Sequence, residues 1–524
     1  MSAVDLPPQR LPKAHDDSGP DNSADGSSPS EALLQRALQS SAVWSVIVCI
    51  LLGVLSAFIL PTIPSYDPWS WIVWGREITD PHIPFIISGG PSWKPLPFVF
   101  TTVYGAFGSA APSMWVVTAR IGGLLGLVAG WRLAYRLTDG TAGRSAGIAA
   151  GVIAVGGILL TQDWFYYFLH GTSETPLIGC SLWAVDRLVE GKKIQAWWLM
   201  VAATWIRPEW VPIELVFAAW LIWREARFRT WPMLAMFAVG VLSFPVVWFV
   251  PPWIGSGHPL LAAEHAEDYN GNLGPHPFIA VNSRGVHDQV LPILAFGIVG
   301  VLIGWLKDKR KLVLVLGLGV ILYYAVVVVE TMKGYPGLER FFLPDASLIC
   351  VLGGYGMVRI AQLVGELVSG RAGTGAGGNV ATIAGVATFV VLAGASVPFI
   401  TSRISEARAD FPQASLAVTT SNQMSKVVAA VGGRSAVFPC KSSFAAVNHG
   451  VQSEMAWKLK VPLERVGTAM SAPGVDFIGP RNTVTGGAAA IDPRLTHQQV
   501  LARVDGWTVV RLTTPGLPQA CDGH

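Results

Sequence analysis

The chain has 524 residues, of which 51% are hydrophobic and only 14% are charged. Soluble domains carry about 25% charged residues, so this composition excludes a water-soluble protein. It also excludes a disulfide scaffold, because only five cysteines occur, and the net charge of +3 is too small to indicate a nucleic-acid partner. The sequence therefore predicts a multi-pass protein of the plasma (inner) membrane.

The first part of the chain is polar and the long central part is apolar. Residues 1–41 are rich in Pro, Ser and Asp, and they predict a disordered cytoplasmic tail. Residues 42–400 predict a transmembrane domain, because apolar stretches close to the roughly 20 residues that cross a bilayer recur along it. These stretches lie at 42–61, 113–134, 145–161, 173–189, 231–250, 290–306, 312–329, 341–362 and 380–400.

A further apolar stretch at 196–223 is interrupted by Arg207-Pro208-Glu209. Proline stops or kinks a helix, so this stretch predicts two half-helices that meet at a charged tip. The predicted fold is an all-α polytopic membrane protein with about eleven transmembrane helices, two of them short or re-entrant.

Basic residues predict which loops face the cytoplasm, since short cytoplasmic loops are rich in Lys and Arg. Four basic clusters, near 132–144, 187–193, 224–229 and 307–311, fall on one side when the spans are threaded with the N-terminus inside. The same threading places the loops 62–112 and 251–289, and everything after residue 400, on the outer side.

Residues 401–524 have ordinary polarity, turn-forming residues and short alternating runs. They predict a small extracytoplasmic α/β domain. Cys440 and Cys521 both fall in this segment, and in an oxidising compartment we expect them to form a disulfide. The alternative is a pair of free thiols.

Ionisable residues predicted to face outward in the membrane part are few. Asp67 directly follows the first span, where a carboxylate at a low-dielectric edge can act as a general base, although it can also cap a helix. Lys94 lies in the same loop. Glu174 and Asp163 are candidates for a second carboxylate, and Glu174 can instead cap the next span. His170, in the same stretch, is either a ligand or base or a satisfied interfacial histidine.

Three arginines, Arg120, Arg207 and Arg340, lie at or near membrane depth, with Lys333 close to the last of them. Ionisable groups there are costly and by default functional or paired, and the guanidinium fork suits phosphate. The set predicts a phosphate site. The alternative is a structural ion-pair network. Its acidic members are Asp67, Glu174 and Glu209.

The outer loop 251–289 contains several histidines and carboxylates, which are possible ligands of a divalent metal. Their spacings match no tight motif, so no metal site is assigned. We expect a mobile polar loop over a cavity.

In this order, these features resemble the fold type C (GT-C) glycosyltransferases, membrane enzymes that use polyprenyl-phosphate sugars. The local sequences around Asp67 and around Trp93-Lys94-Pro95 resemble those of an actinobacterial cell-envelope branch of this group. The usual acidic dipeptide of the first loop is absent, because Pro68 follows Asp67, and this leaves the second carboxylate open. The matching positions are Asp67, the Pro-rich segment with Trp93 and Lys94, Phe107-Gly108, Ala119-Arg120-Ile121, Arg207-Pro208 and Arg340-Phe341-Phe342-Leu343-Pro344.

The resemblance implies an inverting transfer with Asp67 as general base and Glu174 as a second carboxylate. Arg340, with Arg207 or Arg120, and Lys333 are expected to bind the donor phosphate. The tryptophans near the site either stack on sugars or belong to an interfacial aromatic belt. The expected substrate cavity contains Glu209, Lys94, Trp69, Trp93 and His170.

The implied donor is a polyprenyl-phosphate sugar, with arabinofuranose or mannose on a decaprenyl carrier as the expected sugars. The implied acceptor is a cell-envelope polysaccharide or lipoglycan at the outer face, and the enzyme is expected to act as a monomer among membrane lipids. The rival hypothesis is a transporter or flippase of a lipid-linked envelope precursor, since such proteins also bury charges and break helices.

Overall fold

A computed structural model describes most of the chain. The described residues are 41–87, 93–268, 273–371, 377–440, 443–469, 474–487 and 497–513. The chain divides into two compact units, Met1–Ile47 and Val48–His524. Of the first unit, residues 41–47 are described, and they are helical.

Helices dominate the chain up to residue 437. The first group is α1 (Ser41–Ile59), α2 (Tyr66–Thr79), α3 (Pro95–Gly105), α4 (Ala111–Ala142), α5 (Arg144–Leu159), α6 (Trp164–His170), α7 (Glu174–Val189), α8 (Lys193–Thr204) and α9 (Val211–Arg224). The second group is α10 (Trp231–Ser256), α11 (Leu261–Asp268), α12 (Pro277–His287), α13 (Leu291–Leu306), α14 (Lys311–Met332), α15 (Leu343–Arg371), α16 (Gly377–Ala430) and α17 (Gly433–Val437).

Several of these helices are long and apolar enough to cross a membrane. In the described ranges there are six such segments, or up to eight if each of two bent helix pairs forms one span. The pairs are α5 with α6, bent by 71°, and α12 with α13, bent by 93°. The six segments are Ser41–Ile59, Gly108–Asp139, Trp231–Ser256, Lys311–Met332, Glu339–Gly370 and Gly378–Ala430. The prediction of a polytopic helical membrane protein is confirmed.

The interrupted apolar stretch forms two short helices, as predicted. α8 has 12 residues and α9 has 14, and Arg207 adopts an extended conformation between them. Pro208 begins a short 3-10 turn, Pro208–Trp210, because its fixed φ and missing N–H suit the start of a helical turn. Neither helix is as long as a full crossing of the bilayer.

Glycines bring α4 and α7 close together. A Cβ on Gly122 would lie 2.5 Å from the Cα of Pro176, and one on Gly179 would lie 2.5 Å from the carbonyl oxygen of Gly122. Small residues let membrane helices approach until their backbones touch. This packing holds Glu174, the first residue of α7, next to the N-terminal half of α4.

The C-terminal part forms a mixed sheet with one covering helix, in agreement with the predicted α/β domain. Strand β1 lies at the centre of a parallel trio, and the remaining strands are antiparallel, in the order β2-β1-β3-β5-β4. The elements are β1 (Phe444–Val447), α18 (Gln452–Leu459), β2 (Val466–Gly467), β3 (Gly474–Ile478), β4 (His497–Val504) and β5 (Trp507–Thr513).

This sheet domain shares its hydrophobic core with helix α2. The Trp69 ring packs 6.1 Å from that of Trp457 in α18. The buried Arg76 guanidinium donates hydrogen bonds to the carbonyl oxygens of Trp457 and Val461, both at 2.9 Å. Helix α2 therefore joins the membrane part to the C-terminal domain through both its first and its last turn.

The boundary predicted between residues 400 and 401 lies inside α16, which continues for 54 residues. The composition becomes polar there, but residues with high helix propensity, such as Glu406, Ala407 and Arg408, allow the helix to continue. Cys440 is disulfide-bonded, whereas Cys521 lies outside the described residues.

Asp476 makes the stability of the C-terminal domain sensitive to pH. It is fully buried in β3, and burial raises the pKa of its carboxyl to about 7. The folded state therefore holds a proton that the unfolded chain releases near its ordinary pKa of about 4, so stability falls as the pH rises from about 4 to 7, by roughly 1.4 kcal/mol per unit. We expect Asp476→Asn to remove this slope.

Thermal unfolding of the purified protein at pH 5 and pH 8 measures the effect. The exposed Asp505, which pairs with Lys426 at 2.9 Å, provides a matched Asp505→Asn control that should keep the slope of the natural protein. An unchanged slope in Asp476→Asn would contradict the assignment.

Candidate active site

Asp67 and Arg340 meet at the edge of a cavity although 273 residues separate them. Asp67 lies in the first turn of α2, and Arg340 lies in a 3-10 turn, Glu339–Phe342, that precedes α15. The Nη1 of Arg340 donates a hydrogen bond to the Oδ2 of Asp67 at 2.8 Å. Both side chains are partly exposed, by 20% for Asp67 and 30% for Arg340, so both can reach a ligand.

Glu174 extends this contact into a chain of ion pairs. Its Oε1 lies 4.0 Å from the Nε of Arg340 and accepts a hydrogen bond from the Nη2 of Arg207 at 2.6 Å. The Nη1 of Arg207 lies 3.6 Å from the Oε1 of Glu209. Unlike Asp67, the three inner residues are almost fully buried. The order from the exposed end is Asp67, Arg340, Glu174, Arg207 and Glu209.

Local chain geometry holds the inner part of this ion-pair chain in place. Glu174 is the first residue of α7, and Arg207 lies at the break between α8 and α9. Both side chains therefore extend from helix ends. The Phe341 ring lies 4.2 Å from the Cζ of Arg207, a cation–π contact that fixes the guanidinium plane.

Lys94 adds a third cation next to the ion pairs. It is buried immediately before α3 and lies 6.0 Å from the centre of the Trp248 ring. Burial lowers the pKa of the Lys94 ammonium to about 7, with the positive charge of Arg207 as a further cause. A dianionic ligand at this position would favour the protonated form of Lys94.

A cavity of about 870 Å³ is lined by Asp67, Arg340, Arg207, Glu209 and Lys94, whereas the buried Glu174 lies behind its wall. Its wall also contains apolar side chains from α10 and the start of α11, and polar or aromatic side chains from the regions of α2, α6, α16 and the C-terminal domain. The apolar set includes Phe244, Trp248, Phe249 and Leu260. The polar and aromatic set includes Tyr66, Asp163, Tyr166, Asp410, Gln413 and His449.

Arg120 lies away from the cavity. It is fully buried outside the cavity wall, and all three guanidinium nitrogens are engaged by the protein. These contacts use its hydrogen-bonding capacity and favour a structural role over the predicted contact with donor phosphate. Its acceptors are the carbonyl oxygens of Ser56, Pro61, Phe168 and Leu169 and the hydroxyls of Ser56 and Thr62.

We expect Arg120→Leu to destabilise the fold rather than to weaken ligand binding. The change leaves several buried acceptors without a donor, and each costs about 1–3 kcal/mol, so the total loss should exceed about 3 kcal/mol. Thermal unfolding in detergent measures it. Arg227→Leu is the matched control, since the Arg227 side chain is 64% exposed. Equal melting temperatures for the two variants would contradict a structural role for Arg120.

Besides Arg120 and Glu174, four other predicted residues lie away from the cavity wall. Lys333 is exposed at the end of α14, and His170 is buried with its ring 4.6 Å from that of Tyr166. Trp69 and Trp93 are core residues, and the Trp93 Nε1 donates to the carbonyl oxygen of Val247 at 2.9 Å. Both tryptophan side chains are buried, with 5% of Trp69 and 2% of Trp93 exposed. The structure therefore does not bring these four residues together with Asp67 and Arg340 in the cavity wall.

The sequence also missed residues that do line the cavity. Tyr66 and Tyr166 stood beside the acidic residues Asp67 and Asp163 in the sequence, and this proximity was an available signal. His449 and Gln413 gave no signal, because they lie in segments that composition assigned to a separate domain. Across the described part of the chain, no group of three or more His, Cys, Asp and Glu side chains is arranged to hold a metal ion.

Two solved structures resemble this chain, both with low TM-scores and low sequence identity. No protein-family model matches the chain, and no curated protein matches it. The crystal structure of ArnT from Cupriavidus metallidurans bound to undecaprenyl phosphate is similar with a TM-score of 0.49 and 14% identity, over 92% of this chain and all (100%) of that one. The apo structure of the same protein has a TM-score of 0.47 and 15% identity, over 90% and 98% of the two chains. Similarity at this level carries no argument about function, which rests on the residues of this chain.

Proposed function

We propose that the protein is an inverting, polyprenyl-phosphate-sugar-dependent glycosyltransferase with the general base Asp67. The proposal rests on the position of Arg340 in the cavity wall, where it contacts Asp67 at 2.8 Å and lies 4.0 Å from the buried Glu174. An arginine shared between a base and a second carboxylate is suited to receive a phosphate, because the incoming anion can replace a carboxylate partner.

Donor binding would prepare the base for reaction. When the donor phosphate takes the fork of Arg340, Asp67 loses its cationic partner and becomes a stronger proton acceptor. Arg207 and Lys94 supply further positive charge deeper in the site, while Glu174 and Glu209 hold Arg207 in position. These charges are fixed before reaction, so they stabilise the departing phosphate without reorganisation.

The transfer step balances as a single displacement. The acceptor hydroxyl oxygen attacks the anomeric carbon of the donor sugar, while its proton passes to Asp67. The bond between the anomeric carbon and the phosphate oxygen breaks, and polyprenyl phosphate leaves with the electron pair. Attack opposite the leaving group inverts the anomeric configuration. Arg340 then holds the leaving phosphate.

The apolar part of the cavity wall supports a donor that carries a prenyl chain. Phe244, Phe249 and Leu260 give the cavity an apolar side suited to a prenyl chain next to the phosphate. We propose arabinofuranose or mannose as the sugar and a cell-envelope polysaccharide or lipoglycan as the acceptor, at the outer face of the membrane. The N-terminus would then be cytoplasmic and the C-terminal domain extracytoplasmic.

Reconstituted protein tests this function directly. Liposomes that contain the protein are incubated with decaprenyl-phosphate arabinofuranose or mannose and an envelope oligosaccharide, and mass spectrometry is used to detect the extended oligosaccharide. We expect extension with one of the two donors. Exchange of a fluorescent donor analogue between leaflets, without any extended product, would instead identify a flippase and overturn the proposal.

A further inference from the structure

The C-terminal domain contributes directly to the wall of the cavity next to the proposed base. His449 lines the cavity, and its ring stacks on that of Tyr66 with centroids 5.0 Å apart and an interplanar angle of 26°. Tyr66 is the residue before Asp67 and donates a hydrogen bond from its hydroxyl to Gln452 at 3.0 Å. Gln452 is itself fixed, because its Nε2 donates to the carbonyl oxygen of Val466 at 2.6 Å.

The sheet topology explains why His449 lies at this position. From β1 the chain passes through α18 to β2 on one side, whereas β3 pairs with β1 on the other side. The carboxyl ends of the parallel strands β1 and β3 therefore border a topological switch point, where open α/β sheets bind ligands. Asn448 joins the two ends, since its Oδ1 accepts a hydrogen bond from the backbone N–H of Gly479 at 2.7 Å.

The loop that carries His449 is held by backbone hydrogen bonds. The backbone N–H of His449 donates to the carbonyl oxygen of Gly487 at 3.2 Å. The backbone N–H of Gly450 donates to the carbonyl oxygen of Thr485 at 2.9 Å. The position of His449 is thus set by the main chain. A side-chain substitution there should leave the loop in place.

The chemistry of this end of the cavity differs from that of the ion-pair chain. The side chains around Tyr66 are aromatic, imidazole, amide and carboxylate groups, and the cations Lys94 and Arg207 belong to the inner end. Aromatic rings combined with hydrogen-bonding amide, imidazole and carboxylate groups suit the faces and hydroxyls of a sugar rather than a phosphate. The group comprises Tyr66, Tyr166, Asp410, Gln413 and His449.

We propose that this part of the cavity is the acceptor subsite, in which His449 and Tyr66 bind the terminal sugar of the acceptor glycan and present its hydroxyl to Asp67. The proposal rests on the proposed function and assigns the C-terminal domain a role in it. The donor phosphate binds at Arg340, and the acceptor enters from the side of the sheet domain. Helix α2 carries both Tyr66 and Asp67, so acceptor binding and proton transfer share one rigid element.

The full-length protein in nanodiscs with His449→Ala tests the subsite. The variant loses a stacking ring and a hydrogen-bonding group, so we expect the KM for an envelope oligosaccharide to rise about tenfold or more. Donor affinity, and slow hydrolysis of the donor without acceptor, should stay at the level of the natural protein. His449→Gln, which keeps a hydrogen-bonding side chain, should show a smaller rise and provides a second variant if the alanine form does not fold. His82→Ala, at an exposed position outside the cavity wall, is the matched control.

Direct binding separates failure of the subsite from failure of the proposed function. Titration of the same oligosaccharide into the natural protein and into His449→Ala, without donor, measures acceptor affinity alone. Loss of affinity in the variant supports the subsite even if the natural protein transfers no sugar, an outcome that would overturn the proposed function only. Equal affinity and equal acceptor KM in folded His449→Ala would overturn the subsite.

Discussion

Asp67→Asn is expected to abolish sugar transfer while the protein stays folded and still binds the donor. Asparagine has nearly the shape of aspartate, and its side-chain oxygen can still accept the hydrogen bond from Arg340. It cannot take a proton from the acceptor hydroxyl. General base catalysis contributes about 10²–10⁴-fold in rate, so we expect a loss in that range or larger. Single-turnover transfer with saturating donor and acceptor measures the chemical step.

Asp80→Asn is the matched control for this experiment. Asp80 follows the other end of α2 and lies outside the wall of the cavity, where its Oδ1 accepts a hydrogen bond from the backbone N–H of His82 at 3.0 Å. This variant should transfer sugar at the rate of the natural protein. If Asp67→Asn also kept that rate, Asp67 would not be the base, and Glu174 or Asp163 would be the remaining carboxylates to test.

The break in the membrane helices could be predicted because it depends on local chemistry. A proline between two charged residues in an apolar stretch leaves few alternatives to a helix break, and the structure has this break at Arg207. Asp67, Glu174 and Arg340 could be grouped only by their predicted side of the membrane and by the family resemblance. Their contacts depend on how α2, α7 and the start of α15 pack, which no single segment encodes.

Arg120 illustrates what a sequence pattern cannot distinguish. A buried arginine in a span is costly unless its donors are satisfied, but backbone carbonyls and a phosphate satisfy them equally well. In the structure, the ends of α1 and α6 supply carbonyl oxygens, and these become available only through tertiary packing. Arg207 and Arg340 instead have carboxylate partners at a cavity.

The sequence also could not predict that Trp69 and the C-terminal domain pack together. Hydropathy marks where apolar segments end, so it assigned Trp69 to a membrane surface and residues 401–524 to an independent domain. The shared core of α2 and the sheet domain removes both distinctions, since Trp69 packs on Trp457. His449 reaches the cavity because of this packing, and a lone histidine after a short strand gives no such indication.

Arg340→Ala is expected to weaken donor binding and to slow transfer by about 10²–10³-fold, the usual effect of removing one charge-stabilising donor. The fold should tolerate the change, because Arg207 still neutralises Glu174 at 2.6 Å and Asp67 is partly exposed. Arg340→Lys keeps the positive charge but loses the planar fork, and we expect it to restore only part of the donor affinity. Equilibrium binding of a polyprenyl-phosphate probe and the transfer rate are measured for each variant.

Lys333→Ala distinguishes a specific phosphate contact from a general loss of positive charge. Lys333 lies seven residues before Arg340 and is exposed away from the cavity wall. Its removal changes the net charge by the same amount, yet donor affinity and transfer should remain at the level of the natural protein. If Arg340→Ala bound the probe as tightly as the natural protein, Arg340 would not hold the donor phosphate. If both variants lost equal affinity, long-range attraction of the anionic donor would account for the effect, because that attraction depends on charge rather than on contact.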